Sequence, residues 1–166
     1  MTVSPMVTIS KESVFISISS VSSSVRLYYV DMKELKSQSP KYLELINSYK
    51  QVKKAIAHFN ISNLDQARAI CEVAEELKQP VIIGVSGGER EYIGVAMVRS
   101  VVDELNQEYS VPIVLNADHT YTLEKVMEAV EAGYDSVIVD GAKLPYEENV
   151  ELVKNAVDMV REYELK

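Results

Sequence analysis

The sequence predicts an α/β fold in which four parallel strands alternate with helices. Three observations predict it: four short apolar segments recur from residue 55 onward, a segment with helical spacing of apolar residues follows each of them, and polar side chains gather where the apolar segments end. Alternating strands and helices are typical of a parallel sheet covered by helices. The chain has 166 residues. A complete (β/α)8 barrel takes roughly 200 to 250 residues, so this chain alone is not expected to close one.

Charge and cysteine content narrow the class of protein. The chain carries 17 basic and 25 acidic residues, a formal net charge of −8, and so has little electrostatic attraction for nucleic acid or anionic membranes. Its single cysteine, Cys71, lies among apolar residues and is expected to be a small core residue. No apolar run is long enough to span a membrane, and the N-terminus lacks the layout of a signal peptide. We therefore expect a cytoplasmic protein that binds neither nucleic acid nor membrane.

Residues 1–30 differ from the rest of the chain because serine is concentrated there. Val14–Ser19 and Val25–Val30 are rich in β-forming residues, which predicts one or two strands around a turn at Ser22–Ser24. A poorly ordered extension is the alternative. The sequence thus divides into an N-terminal extension, 1–30, and an α/β domain over 31–166. Strands in the extension could cover an edge of an open sheet.

A short amphipathic helix is predicted over 41–50, because apolar residues recur there at helical spacing: Tyr42, Leu45, Ile46 and Tyr49. The first strand–helix unit follows. It pairs the apolar segment Ala55–Asn60 with a helix opened by Ser62, where Ser62-Asn63-Leu64-Asp65 is similar to a capping box. The helix ends at Lys78-Gln79-Pro80, and its apolar stripe comprises Leu64, Ala67, Ile70, Cys71, Ala74 and Leu77.

The second unit begins with Val81–Ser86, a continuous apolar run that is typical of a strand buried on both faces of a parallel sheet. A turn at Gly87-Gly88 is expected to lead into one helix over Glu89–Glu108.

The third strand, Pro112–Asn116, runs into Ala117-Asp118-His119-Thr120 and precedes a helix over Leu123–Ala132, which Gly133 closes. The fourth strand is Ser136–Asp140. A loop, Gly141–Leu144, connects it to Pro145, which suits the first turn of the last helix. The apolar face of that helix comprises Val150, Val153, Ala156, Val157 and Val160.

Polar residues stand at the carboxyl ends of the predicted strands: Asn60, Ser86, Asp118 with His119, and Asp140. In parallel α/β folds this is the end where ligands bind. A neutral imidazole is a common zinc ligand, and an adjacent carboxylate can act as a general base. On spacing alone, an Asp that caps the next turn beside a surface His is the alternative. Asp140 could hold a second cation, orient the histidine or close a turn.

Two further features are weaker candidates. His58 lies inside the first strand, so it is expected to be a buried, packed or hydrogen-bonded histidine rather than a metal ligand. Gly87-Gly88 could let the backbone approach a phosphate, but it lacks the spacing and the lysine of a P-loop, which favours a plain turn.

Four segments, taken together and in order, resemble the N-terminal half of the class II, metal-dependent fructose-bisphosphate aldolases and their ketose-bisphosphate relatives. They are Ala57–Leu64, Pro80–Glu89, Leu115–His119 and Ala132–Val150. The resemblance implies a partial TIM barrel of about four βα units. It also implies a zinc-dependent, reversible aldol cleavage of a ketose bisphosphate to dihydroxyacetone phosphate and an aldehyde.

The resemblance implies roles for the candidate residues. Asp118 would be the catalytic residue that moves the proton at the aldehyde-derived hydroxyl, and His119 would be one zinc ligand. Asp140 matches an acidic position near the metal, as a second site or a spectator. Asn60 and Ser86 match positions that line the site for the phosphorylated sugar.

The family's other metal ligands, a Glu and two His, belong to later strands and are not matched in this sequence. A catalytic zinc takes three protein ligands, so we expect weak zinc binding and no turnover from this chain alone. The alternative function is a catalytically inert half-barrel scaffold that self-associates, because four parallel strands leave two sheet edges open. A homo-oligomer is expected under that alternative.

Overall fold

The computed structural model describes residues 6–10, 13–17 and 42–164. Six strands form one sheet in the order β2-β1-β6-β5-β4-β3. The elements in chain order are β1 Met6–Ser10, β2 Ser13–Ser17, α1 Tyr42–Gln51, β3 Ala57–Asn60, α2 Leu64–Leu77, β4 Val81–Val85, α3 Gly87–Ile93, α4 Val95–Glu108, β5 Ile113–Thr120, α5 Leu123–Glu131, β6 Ser136–Val139 and α6 Tyr146–Glu164.

Strands β3 to β6 are parallel neighbours in chain order, and helices follow each of them. This arrangement confirms the predicted α/β unit of four parallel strands. Because all four strands run the same way, their carboxyl ends meet at one edge of the sheet.

An N-terminal hairpin extends the sheet. β1 and β2 are antiparallel, and β1 also pairs antiparallel with β6, with Val7 opposite Val139 and Ser10 opposite Ser136. β2 overlaps the predicted strand Val14–Ser19, whereas β1 was not predicted. The predicted strand Val25–Val30 and its serine turn lie outside the described residues. The hairpin occupies the β6 edge, so β3 forms the other edge of the described sheet.

The main hydrophobic core lies between the sheet and helices α2, α4, α5 and α6. Alternate residues of the strands face it, among them Ile83, Leu115 and Val137, each at most 1% exposed. Cys71 is fully buried there, as predicted. Burial raises the pKa of its thiol to about 11, so Cys71 behaves as an apolar core residue.

The opposite face of the sheet has a smaller core. Helix α1 packs Tyr42 against Ile82 and Val114, with Leu45 and Ile46 at the border of this cluster. α1 therefore covers the part of this face near the start of the strands. We call the face the inner face.

The structure corrects three local predictions. Asn63, not Ser62, caps α2, because its side chain accepts the N–H of Gln66 at 2.9 Å. Gly87-Gly88 forms the first turn of α3 rather than a separate turn. The helix predicted over Glu89–Glu108 is two helices, since Gly94 adopts φ +98° between α3 and α4, a conformation that favours glycine.

Within the described part of the chain, none of the helices has the length and apolar character needed to cross a membrane.

Candidate active site

The candidate site lies on the inner face, at the carboxyl ends of β3, β5 and β6. Asn60 is the last residue of β3, Asp118 and His119 lie near the end of β5, and Asp140 directly follows β6. Side chains alternate along a strand, so the residues that face inward on β5 are Val114, next Asn116 and then Asp118. The inner face is therefore apolar where α1 covers it and polar toward the carboxyl ends of the strands.

Asp118 is held by two donors. Its Oδ2 accepts a hydrogen bond from Nδ2 of Asn60 at 2.8 Å, and its Oδ1 accepts the backbone N–H of His119 at 3.1 Å. Only 7% of Asp118 is exposed. A carboxylate that is buried and hydrogen-bonded on both oxygens keeps one orientation.

His119 is held by Asp140. Nδ1 of the imidazole lies 2.7 Å from Oδ2 of Asp140, and Nε2 lies 3.8 Å from Oδ2 of Asp118. A carboxylate can only accept, so Nδ1 carries the proton and neutral His119 presents the lone pair of Nε2. The side chain of His119 is 46% exposed, in contrast to the two carboxylates beside it.

The contact between His119 and Asp140 raises the pKa of the imidazole and lowers that of the carboxylate. The hydrogen bond to Asp140 raises the pKa of His119, more than desolvation lowers it. Burial raises the pKa of Asp140, but the hydrogen bonds from His119 and from the N–H of Ala142 outweigh it, and the net pKa is lowered. Asp140 therefore stays ionised beside the imidazole.

A second set of hydrogen bonds lies deeper on the inner face. Ser136 donates its hydroxyl to Oδ1 of Asn116 at 2.7 Å, and Nδ2 of Asn116 lies 3.1 Å from Nε2 of His58. His58 is hydrogen-bonded, as one reading of the sequence predicted, but it is exposed rather than buried. The reason is that β3 is an edge strand on the uncovered part of the inner face.

Gly84 leaves room for the side chains of His58 and Asn60 because it has no Cβ atom. A Cβ atom on Gly84 would lie 2.3 Å from Cε1 of His58 and 2.7 Å from Oδ1 of Asn60. The two side chains of β3 therefore lie directly against the backbone of β4.

Arg90 is a functional candidate that the sequence analysis missed. Only 4% of it is exposed, and its guanidinium donates to the carbonyl of Asp118 at 2.8 Å, to the hydroxyl of Thr120 at 2.9 Å and to the carbonyl of Val85. Burial lowers its pKa. An arginine in a helical segment is usually exposed, so its type alone does not indicate a site. The available signal for Arg90 was its position four residues after Ser86, the polar end of a strand.

Ser86 is the predicted site residue that stands apart. Its hydroxyl caps α3 by accepting the N–H of Glu89 at 3.4 Å. Within residues 42–163, no hydrogen bond joins it to Asn60, Asp118 or Asp140.

A cleft of about 450 Å³ lies between α3, the end of β5 and α5, and its lining includes Gly87, His119 and Lys125. Neither Asn60 nor Asp118 lines it. The cleft thus adjoins the histidine, whereas the carboxylate and amide groups lie on the inner face.

The described residues do not provide a complete zinc site. No group of three or more His, Cys, Asp or Glu side chains among them is arranged to hold a metal ion. A catalytic zinc needs three protein ligands and an open position. His119 offers one free imidazole nitrogen, so the described residues alone do not fit this metal.

Comparison with known proteins assigns the chain to a family. The family model described as "Fructose-bisphosphate aldolase class-II" matches residues 40–166. The chain belongs to the class II fructose-bisphosphate aldolase family. The match includes every element from α1 to α6 and therefore every residue of the candidate site.

Curated members of this family are similar to the chain. The fructose-bisphosphate aldolase of Geobacillus stearothermophilus is 38% identical over 120 residues, which are 69% of this chain and 41% of the relative. The probable fructose-bisphosphate aldolase of Bacillus subtilis (strain 168) is 37% identical over 121 residues, 70% of this chain and 42% of the relative. The chain thus spans less than half the length of these curated relatives.

Solved aldolase structures share the fold. The YdjI aldolase from Escherichia coli K12 superposes with a TM-score of 0.68 at 28% identity, covering 75% of this chain and 48% of the other. A putative fructose-1,6-biphosphate aldolase from Coccidioides immitis gives a TM-score of 0.66 at 28% identity, covering 73% and 47%. These superpositions confirm that the α/β unit is a partial barrel of the aldolase type.

Proposed function

We propose that this chain supplies the acid–base part of a class II aldolase active site, which cleaves a ketose bisphosphate reversibly to dihydroxyacetone phosphate and an aldehyde. One observation carries the proposal. A carboxylate fixed by Asn60 lies beside an imidazole fixed by Asp140, at the carboxyl ends of parallel strands. Asp118 is the catalytic residue of this proposal, and His119 is one ligand of a divalent metal, expected to be zinc.

The chemistry assigned to this chain is a proton transfer at Asp118. In the cleavage direction, its carboxylate accepts the proton of the hydroxyl that becomes the aldehyde oxygen. The adjacent C–C bond breaks, and its electron pair stays with the fragment that becomes dihydroxyacetone phosphate. In the condensation direction, the same oxygen returns the proton. Asn60 donates to Oδ2 of Asp118 and so orients the carboxylate before the proton moves. A well-placed general base contributes about 10² to 10⁴ in rate.

Asp140 has a positioning role in this proposal. By accepting Nδ1–H of His119, it fixes the tautomer that leaves Nε2 free to bind a cation. We assign Asn60 and Ser86 to the lining of the sugar phosphate site. Ser86 would act there through its hydroxyl, at the start of α3.

A metal would supply Lewis-acid stabilisation of the ketone oxygen, but the described residues do not complete its site. The chain alone is therefore expected to bind zinc weakly and to be inactive. The remaining ligands would come from outside the residues described.

The test adds the part of the relatives' length that this chain does not span. The chain is co-expressed with the segment of the Geobacillus stearothermophilus aldolase that lies beyond its matched region, and cleavage of fructose and tagatose bisphosphates is measured with and without a chelator. We expect chelator-sensitive cleavage by the complex, restored by zinc, and none by the chain alone. A folded complex without such cleavage would reject the proposal.

Variants of the complex assign the roles. Asp118→Asn is expected to lower kcat by about 10² or more, and His119→Ala to weaken zinc binding. Asp158→Asn is the matched control, because it makes the same chemical change at an exposed position on α6. Full activity in Asp118→Asn would remove Asp118 from the mechanism.

A second candidate function, an inert scaffold that self-associates, is favoured by the β3 edge, with which no second strand pairs among the described residues. All four residues of β3 are exposed, including Phe59 at 50%. An exposed strand edge is a template for pairing with another chain. Under this proposal, light scattering gives a dimer mass for the chain and a monomer mass for Phe59→Lys. A wild-type monomer would reject it.

A further inference from the structure

The guanidinium of Arg90 is buried, and the hydrogen bonds it makes within the described structure all go to uncharged acceptors. They are the carbonyls of Val85 and Asp118 and the hydroxyl of Thr120. A buried charge usually has a carboxylate partner or is avoided. The guanidinium of Arg90 is instead held by these three hydrogen bonds, so what it does is set by where the three acceptors lie.

The three acceptors lie at the carboxyl ends of two adjacent strands. Val85 ends β4, whereas Asp118 and Thr120 are among the last three residues of β5. The planar guanidinium spans both strands because its N–H groups form a rigid fork. One fork thus fixes the end of β5 relative to the end of β4.

The backbone between two of these acceptors is strained. His119 has φ +47°, and the pairing of β5 with β6 shifts register between Ala117 and Thr120. A residue other than glycine keeps such a conformation only where its surroundings determine it. Arg90 bonds to the residue before His119 and to the residue after it, so it holds both sides of the strained position.

The strained backbone aims the imidazole. The left-handed conformation places Nδ1 of His119 at 2.7 Å from Asp140, and the carbonyl of Thr120 accepts the N–H of Asp140 at 2.8 Å. Two of the residues that Arg90 binds therefore flank His119, and one of them, Thr120, also hydrogen-bonds to the backbone of Asp140.

We propose that Arg90 is a positioning residue, which fixes the backbone of residues 118–120 so that the imidazole of His119 meets the carboxylate of Asp140. The consequence for catalysis rests on the proposed aldolase function. The positioning itself does not.

The test reads the His119–Asp140 hydrogen bond directly, on the metal-free full chain. Proton NMR at one fixed pH detects the imidazole Nδ1–H resonance, which Asp140→Ala assigns by its disappearance. Arg90→Met is expected to abolish the resonance, and Arg90→Lys to weaken it, because an ammonium keeps the charge without the planar fork. Arg68→Met is the matched control, since Arg68 is exposed and pairs with Glu108 on the helix side.

A folded Arg90→Met chain that keeps the resonance at the wild-type position overturns the proposal. If Arg90→Met does not fold, Thr120→Val decides the matter, because it removes one acceptor and leaves the guanidinium. A displaced or lost resonance in Thr120→Val supports positioning, and an unchanged one overturns it.

The complemented enzyme separates this inference from the proposed function. There, Arg90→Met is expected to lower kcat by about 100-fold with little change in KM, since the guanidinium of Arg90 is engaged by three protein acceptors. An inactive wild-type complex would reject the aldolase proposal, while the NMR result would still decide the role of Arg90.

Discussion

Replacing Gly84 by alanine should disconnect Asn60 from Asp118 without disturbing the main core. The new Cβ would lie 2.3 Å from Cε1 of His58 and 2.7 Å from Oδ1 of Asn60, whereas carbon atoms in contact are about 3.5 to 4.0 Å apart. The ring of His58 must therefore move by at least about 1 Å. Both side chains are exposed and lie on an edge strand, so they move more easily than the buried backbone of β4.

The size of the effect follows from the bonds that break. The bond from Asn60 to the carboxylate of Asp118 is worth about 1.5 to 3 kcal/mol, and the contact between His58 and Asn116 about 0.5 to 1.5 kcal/mol. Water can replace part of each bond at these exposed side chains. We therefore expect the free energy of unfolding to fall by about 1 to 2 kcal/mol.

The assay combines urea unfolding with NMR of the Asn60 side-chain amide. We expect Gly84→Ala to lower the urea midpoint by about 0.5 to 1 M and to shift the amide resonances of Asn60. Gly88→Ala is the control, because a Cβ there has no neighbour within 4 Å, and alanine favours a helix. A Gly84→Ala chain with the wild-type midpoint and wild-type Asn60 resonances would refute the reasoning.

Two predictions concern stability away from the site. Asp135→Ala should lower the free energy of unfolding in urea by about 1 to 3 kcal/mol. The substitution takes the acceptor from the N–H of Leu115 and removes one carboxylate from Arg99, which keeps its ion pair with Asp103. A loss below about 1 kcal/mol would contradict this. The hydrogen bond from the ammonium of Lys78 lowers the pKa of Glu75 to about 2, and the hydroxyl and N–H of Ser110 add to this effect. The contribution of Glu75 to stability is therefore complete above its unfolded pKa of about 4.3 and is lost as the pH falls toward 2. Glu75→Gln should flatten the acid limb of the stability–pH curve over that window, and an unchanged limb would count against the ion pair.

Local pattern was enough to predict most elements. Continuous apolar runs and helical stripes predicted β4, α1 and α2, because burial selects residue type at short sequence range. The break at Gly94 was missed, since one glycine within a helical pattern does not reveal whether it adopts a positive φ. Arg90 was missed for a different reason. Its place in a helical pattern suggests an exposed side chain, and only packing against β5 buries it.

The sequence by itself determined the α/β class, the family resemblance and the residues at the strand ends, because strand and helix periods and ordered motifs are local properties. Tertiary structure decided which of those residues meet. Asn60 bonds to Asp118 across 58 positions, and His119 bonds to Asp140 across 21. Those contacts depend on strand register and on a strained backbone at His119. These contacts form only when the parallel strands bring distant side chains together at their carboxyl ends.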